Sequence, residues 1–215
     1  MTAVRNAPST RCSHVARILI LSWLAAAGPI AGASAQAARA EIQSGLEDRD
    51  ARIKSILGDR DDVTGQARDE LKGVINGMID FEEMGRRALG QNWDDLSDAE
   101  RADFTDVFAD VVRAQSLSNL DVYRSRVTYD DIQVSGSSAR VYTTTIYREV
   151  PTRVEYEMLL QDGVWSIVDI VLDDVSTVSG YSRSFQSVIR KKGFATLMDR
   201  LEKRRDREGD AEESS

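Results

Sequence analysis

Apolar positions recur in this chain at two different spacings, and the change from one to the other sets the expected architecture. Residues 36 to 60 read as a charged helix with a thin apolar stripe of Ile42, Leu46, Ile53, Ile56 and Leu57, ending near Gly58-Asp59. Leu71, Val74, Ile75, Met78 and Ile79 follow i, i+3, i+4, i+7, i+8, the signature of an amphipathic helix with one buried face. Asp80 with Glu83 has the spacing of a capping pair and opens a helix carrying Phe81, Met84, Ala88 and Leu89, closed by Gly90. Ser97 with Glu100 repeats the capping box, and Phe104, Val107, Phe108, Val111 and Val112 behind it form the most regular helical stripe in the chain.

From Val127 the spacing shifts to alternation. Val127 with Tyr129 and Ile132 with Val134 precede a turn at Gly136-Ser137-Ser138. Ala139, Val141, Thr143, Thr145 and Tyr147 then share one strand face, and Val154, Tyr156, Met158 and Leu160 share a face of the next. Asp162-Gly163 between alternating runs is a strong hairpin signal, because both residues adopt positive φ readily. Val164 to Leu172 is nearly continuous in apolar residues, so this strand is expected to be covered on both faces. Helical spacing returns in Tyr181, Phe185, Val188 and Ile189 and, after Gly193, in Phe194, Leu197, Met198 and Leu201. The pattern predicts an α+β domain: a curved four-stranded antiparallel sheet with helices packed on one face, a cone whose mouth is a natural pocket.

The first residues add a location. Arg5, Arg11 and Arg17 precede an apolar run from Ile18 to Ala27, a Gly28-Pro29 break and the triplet Ala33-Ser34-Ala35. This reads as a signal peptide cleaved after Ala35, with an apolar core well short of the ~20 residues that cross a bilayer. Residues 36–205 would then form a single domain, and 206–215 a charged disordered tail. Losing three Arg leaves 25 basic residues against 36 acidic ones, a net charge of −11. Nucleic acid is an unsuitable partner for such a chain, since binding it needs phosphate-neutralising Lys and Arg. The same cleavage removes the only Cys and the only His, Cys12 and His14. No disulfide, thiolate nucleophile, imidazole base or Cys/His zinc site is then available; carboxylate chemistry and oxygen-ligand calcium or magnesium sites stay open, but no D-x-[DN]-x-[DN]-G loop is present and no cofactor or metal is expected.

Three segments resemble the MlaC-like family of periplasmic phospholipid-transport proteins, also called toluene-tolerance auxiliary proteins. They are Asp80-Phe81-Glu82-Glu83-Met84-Gly85-Arg86-Arg87-Ala88-Leu89-Gly90 closed by Trp93; Leu96-Ser97 followed by Arg101, Phe104 and Phe108; and Trp165 with Asp169, Val175-Ser176, Tyr181, Phe185, Gly193 and Leu197. Asp174 and Ser182 depart from the family's usual Gly and Arg. The resemblance implies a nuclear-transport-factor-2-like cone with additional helices, whose cavity takes phospholipid acyl chains. It also implies partners: an inner-membrane ABC transporter complex and an outer-membrane lipoprotein complex, between which phospholipid is ferried in the periplasm to maintain outer-membrane lipid asymmetry.

Burying a methylene is worth about 0.8 kcal/mol, so a chain of roughly fifteen gains on the order of 12 kcal/mol on leaving water. The bilayer offers the same gain, and a carrier must match it with apolar walls around unfilled space. The candidate lining is Phe104, Phe108, Val141, Val154, Tyr156, Met158, Ile167, Phe185 and Ile189. Stripes and alternation specify burial, so these residues are equally compatible with an ordinary packed core. One rival is a cone-fold enzyme of the isomerase or dehydratase kind, using Asp169 or Asp173-Asp174 with the phenol of Tyr156 or Tyr181. Another is a periplasmic adaptor with a filled core. Trp93 and Trp165 read as structural, and Arg190-Lys191-Lys192 and Lys203-Arg204-Arg205 as either a docking face or solvated helix surface.

Overall fold

A computed structural model describes residues 30–60, 63–117 and 120–213. In its first helix, α1 (Ile30–Leu57), the buried positions Ile42, Leu46, Ile53, Ile56 and Leu57 reproduce the stripe read from the sequence. That stripe serves two cores. Ile42 and Leu46 pack on the sheet, whereas Ile53, Ile56 and Leu57 pack with Leu71 and Ile75 of α2 (Gly65–Asn76) and with Leu117. Residues 30–35, expected at the end of the signal peptide, are the first residues of α1; the rest of that expected segment, 1–29, lies outside the described residues.

Helix α2 ends earlier than its apolar spacing predicts. It stops at Asn76, and Met78 and Ile79 turn out of it to lie along a sheet strand. The Ile167 N–H donates to the Met78 carbonyl at 2.7 Å, and the Asp80 N–H donates to the Ile167 carbonyl at 2.9 Å. Periodicity does not distinguish the two outcomes: both side chains are covered either way, and the strand supplies the backbone partners that the helix no longer does.

Both predicted caps form. The Glu83 N–H donates to Asp80 Oδ1 at 2.9 Å at the start of α3 (Phe81–Leu89). At α4 (Asp98–Leu117) the box is reciprocal: the Ser97 N–H donates to Glu100 Oε2 at 2.9 Å and the Glu100 N–H to Ser97 Oγ at 3.3 Å. With α5 (Thr177–Lys192) and α6 (Phe194–Glu213) these helices enclose an aromatic core. Phe104 and Phe108 stack at 5.5 Å with planes 7° apart, and Phe185 stands edge-on to both at 5.9 Å. Gly85 makes this approach possible, since a Cβ there would lie 2.8 Å from the Phe104 ring. Helix α6 continues to Glu213, through residues 206–213 where the composition predicts a disordered tail. Lys and Arg alternate with Asp and Glu along it, and i, i+4 pairs such as Arg204–Glu208 at 2.8 Å support helix without apolar contacts.

The sheet has five strands, not the four expected: β1 (Arg126–Ser135), β2 (Ser138–Tyr147), β3 (Val150–Gln161), β4 (Val164–Leu172) and β5 (Val175–Ser176), in that order and all antiparallel. The fifth escapes the pattern because two residues cannot display an alternation. It follows a tight turn in which Asp173 and Asp174 both take left-handed backbone angles, φ 45° and 65°. The β3–β4 turn at Asp162-Gly163 is as predicted, with φ of 49° and 81°.

The helices do not all lie on one face. Helix α1 covers the face bearing Ala139, Val141, Met158 and Ile167. On the opposite face, Arg140 pairs with Glu155 and Glu157, and Arg87 of α3 reaches Glu157 at 3.3 Å. The alternation along β3 places Glu157 away from α1, so a charged partner on a second helix is accommodated there. Ile167 and Val168 are both fully buried, as expected for a strand covered on two sides.

Replacing Gly85 by Ala is expected to destabilise the protein by about 1–3 kcal/mol, because the new methyl drives into the Phe104–Phe108 stack. Urea unfolding of the variant measures the loss; a midpoint equal to that of the parent would show that the helical core has slack.

Candidate functional site

The three cores leave a space where they meet. A cavity of about 340 Å³ lies between the middle of α1 and one end of the sheet, within the ~300–1,000 Å³ usual for ligand sites. On α1, Leu46 and Ile53 bound it, and Arg49 and Asp50 occupy the turn between them. The sheet contributes Val127 and Tyr129 from β1, Thr145 from β2, Val154 and Tyr156 from β3, and Ile170 and Leu172 from β4. The last turns of α4 add Val112, Gln115 and Ser116. A 3₁₀ turn, Leu120–Arg124, adds Val122 and Tyr123, and the start of α5 adds Thr177 and Tyr181.

Register explains why these strand residues converge. Thr143 faces Val154, and Val154 faces Leu172, so the positions next to the strand ends fall in one row on the α1 side. Two of the aliphatic lining residues are also wet: Val122 is 36% and Leu172 48% exposed.

Several of the polar groups in the lining have fixed partners. Arg49 Nη2 donates to the Ile75 carbonyl at 2.6 Å, and Arg49 Nε is buried without a hydrogen-bond partner. Asp50 accepts from Lys54 at 2.7 Å. The Tyr181 hydroxyl donates to Gln115 Oε1 at 2.8 Å, and Ser116 Oγ donates to the Arg113 carbonyl at 2.7 Å. Burial pushes the Tyr123 hydroxyl up to about 12 and raises those of Tyr129 and Tyr156 as well, with the Arg49 charge opposing the shift in all three. These phenols are therefore neutral hydrogen-bonding groups at any physiological pH.

Of the nine residues proposed from sequence, Val154 and Tyr156 line this cavity. Val141, Met158 and Ile167 sit on the same sheet face but are packed under Ile42 and Leu46 of α1. Phe104, Phe108 and Phe185 belong to the helical core, with Ile189 packed against it. The sequence reading passes over Leu46, Arg49, Ile53, Val112, Tyr123, Tyr129 and Ile170. One signal for the site was present: Arg49-Asp50 interrupts the α1 stripe where a buried helix would carry apolar side chains. The 3₁₀ turn with Tyr123 carries no periodic signal at all.

The carboxylates weighed for an enzyme are used otherwise. Asp169 is 5% exposed, accepts from the Val178 N–H at 3.0 Å and from the Ser176 hydroxyl, and so anchors the start of α5 to β4. It does not line the cavity. Asp173 and Asp174 hold the β4–β5 turn to Arg153. Among the described residues no group of three or more His, Cys, Asp or Glu is placed to hold a metal ion, and no helix is long and apolar enough to cross a membrane. Trp93 is buried in the helical core under the Arg101 guanidinium, and Trp165 beneath α1, both away from the cavity.

Comparison with known proteins adds two findings. The model of the family described as MlaC protein matches residues 47–203. A solved structure of a phospholipid-binding protein from Ralstonia solanacearum, in complex with a phospholipid, superposes with a TM-score of 0.67 at 19% identity, covering 79% of this chain and 97% of that one. At that identity the likeness concerns the fold. No curated protein matches the chain.

The raised tyrosine fixes the direction of an alkaline transition. Tyr123 holds its proton more tightly folded, near 12, than unfolded, near 10, so its contribution is complete below pH 10 and is lost as the pH rises through about 12. Roughly 2 kcal/mol of stability should disappear over that window, and Tyr123→Phe should remove part of the dependence. Urea unfolding across the alkaline range measures it; an unchanged slope in the Phe variant would place the Tyr123 hydroxyl in water.

Proposed function

This chain belongs to the MlaC protein family, and from that premise we propose that it is a phospholipid carrier of the periplasm, without catalytic activity. Its cargo passes between an inner-membrane ABC transporter complex and an outer-membrane lipoprotein complex, and so sustains the lipid asymmetry of the outer membrane. We read the open sheet with α1 across its end as the nuclear-transport-factor-2-like cone of that family.

The observation that carries the reading is the space of about 340 Å³ under α1, walled by the aliphatic side chains of Leu46, Ile53, Val127, Val154 and Ile170. Native interiors leave few voids larger than a water molecule, so an opening of this size with aliphatic walls supports its use as a ligand site. It suits hydrocarbon. Every methylene transferred into it recovers about 0.8 kcal/mol that water denies, and no covalent step is required. The phospholipid held by the Ralstonia solanacearum protein of similar fold supports the same cargo here. The half-exposed Val122 and Leu172 in the lining lie where a chain would enter and leave apolar surface open to a docking partner. The acidic net charge disfavours direct adsorption to anionic lipid, which assigns delivery to docking on partner proteins.

The deciding experiment is native mass spectrometry of the protein purified from a cell envelope, followed by organic extraction. A stoichiometric phospholipid is expected; a protein that stays empty and also takes no lipid from vesicles would sink the proposal. Val154→Trp places a large ring in the cavity at a partly exposed position and is expected to reduce phospholipid occupancy at least about tenfold while leaving the fold intact. Undiminished occupancy in that variant would put the lipid elsewhere.

A further inference from the structure

Helix α6 changes character at Leu201. Up to that residue it is fastened by Leu197, Met198 and Leu201, all buried in the helical core. Beyond it, residues 202–213 hold one apolar side chain, Ala211, and a glycine, Gly209. So short a charged stretch is marginal as a helix by itself, yet it meets the body of the molecule at a particular place. Arg204 Nη2 approaches Gln115 Oε1 at 3.5 Å, and the same oxygen accepts from the Tyr181 hydroxyl at 2.8 Å. Arg204 Nε donates to Glu208 Oε1 at 2.8 Å. Gln115, near the end of α4, and Tyr181, near the start of α5, both line the cavity. Burial raises the Tyr181 phenol above its ordinary range, with Arg204 opposing the shift and Glu208 adding to it, so both charges are felt at the cavity wall.

We infer that the charged end of α6 is a latch, which through Arg204 holds the seam between α4 and α5 shut beside the cavity, and that acyl chains exchange when it lifts. This rests on the carrier reading above and adds a control on the same site. Towards the aromatic core the seam is interlocked, with the Tyr181 ring edge-on to Phe108 at 5.1 Å, so the part of it that can separate is the Gln115–Tyr181 contact at the cavity. The closed position is only weakly favoured. A hydrogen bond of 3.5 Å is at the limit of useful length, and an ion pair whose side chains are 38% and 28% exposed contributes little. Glu208 Oε2 is shielded from water with no hydrogen-bond donor among the described residues, a cost that is relieved when the helix end swings into solvent. Gains and cost of similar size make a contact that opens and closes, as lids over ligand sites do.

The test follows transfer of pyrene-labelled phosphatidylglycerol from the loaded full chain to vesicles of phosphatidylethanolamine and phosphatidylglycerol, and the reverse uptake by empty protein. In Arg204→Ala, release and uptake should both be about three- to tenfold faster, and the share of lipid held at equilibrium should change less than about twofold, because a latch present in the empty and the loaded protein alike alters rates and not partition. Rates equal to the native ones, or faster release with occupancy lowered in proportion, overturn the inference and leave the carrier reading standing. A native protein that takes up no lipid overturns both. Should Arg204→Ala fail to fold, hydrogen exchange of the native full chain decides: the amides of residues 204–208 should exchange at least about tenfold faster than those of 197–201, and equal protection along α6 overturns the inference.

Discussion

The site depends on how α1 is held. Its stripe is fastened at both ends, by Ile42 and Leu46 to the sheet and by Ile53 and Leu57 to α2 and the end of α4, and left without packing partners between them. A helix rises about 1.5 Å per residue, so the stretch from Leu46 to Ile53 is a stiff beam about 10 Å long. Collapse of the gap would need α1 to bend inward. Its backbone hydrogen bonds resist this, and neither fastening can shift without losing contacts of its own. The cavity is open because two well-packed cores hold a rigid element across it.

This arrangement separates two tasks that the sequence presents as one. The aromatic stripe of α4 looks like the natural wall of a ligand site, yet Phe104 and Phe108 are spent on each other and on Phe185. Rings that interlock this closely, with a glycine required for the approach, make a rigid foundation and not a deformable wall. The side chains that do face the cavity come as one to four from each of many elements, most of them aliphatic or tyrosyl. The foundation also fixes α5, whose first turn is anchored by Asp169 and whose Tyr181 closes one side of the site.

Legibility followed the length over which a pattern could act. The caps at Asp80 and Ser97, the stripe of α1, the Asp162-Gly163 hairpin and the doubly covered β4 could all be read, because each is a local rule applied over enough residues to be unambiguous. Two-residue β5, the departure of Met78 and Ile79 from α2, and the continuation of α6 were not. The first is too short to show an alternation, the second is decided by Ile167 far along the chain, and the third by charge pairs without apolar content. The site was legible only in part for a related reason. Alternation identifies a buried face but not whether anything fills the space above it, so Val141 and Val154, on one face of adjacent strands, look alike although one lies under α1 and the other at the opening.

The break in the α1 stripe is what distinguishes the site from the core. Arginine at a helical position between two buried aliphatics is unfavourable for packing, since its charge must be kept near water or matched. In an ordinary domain that position would be aliphatic. Here the guanidinium keeps the middle of α1 from joining either core, and its hydrogen bond to the Ile75 carbonyl ties it to the turn where α2 ends. A carrier must release what it takes, so its affinity has to come from contributions that a partner can reverse. Hydrocarbon burial alone would make release depend on the full length of the chain, at about 0.8 kcal/mol per methylene.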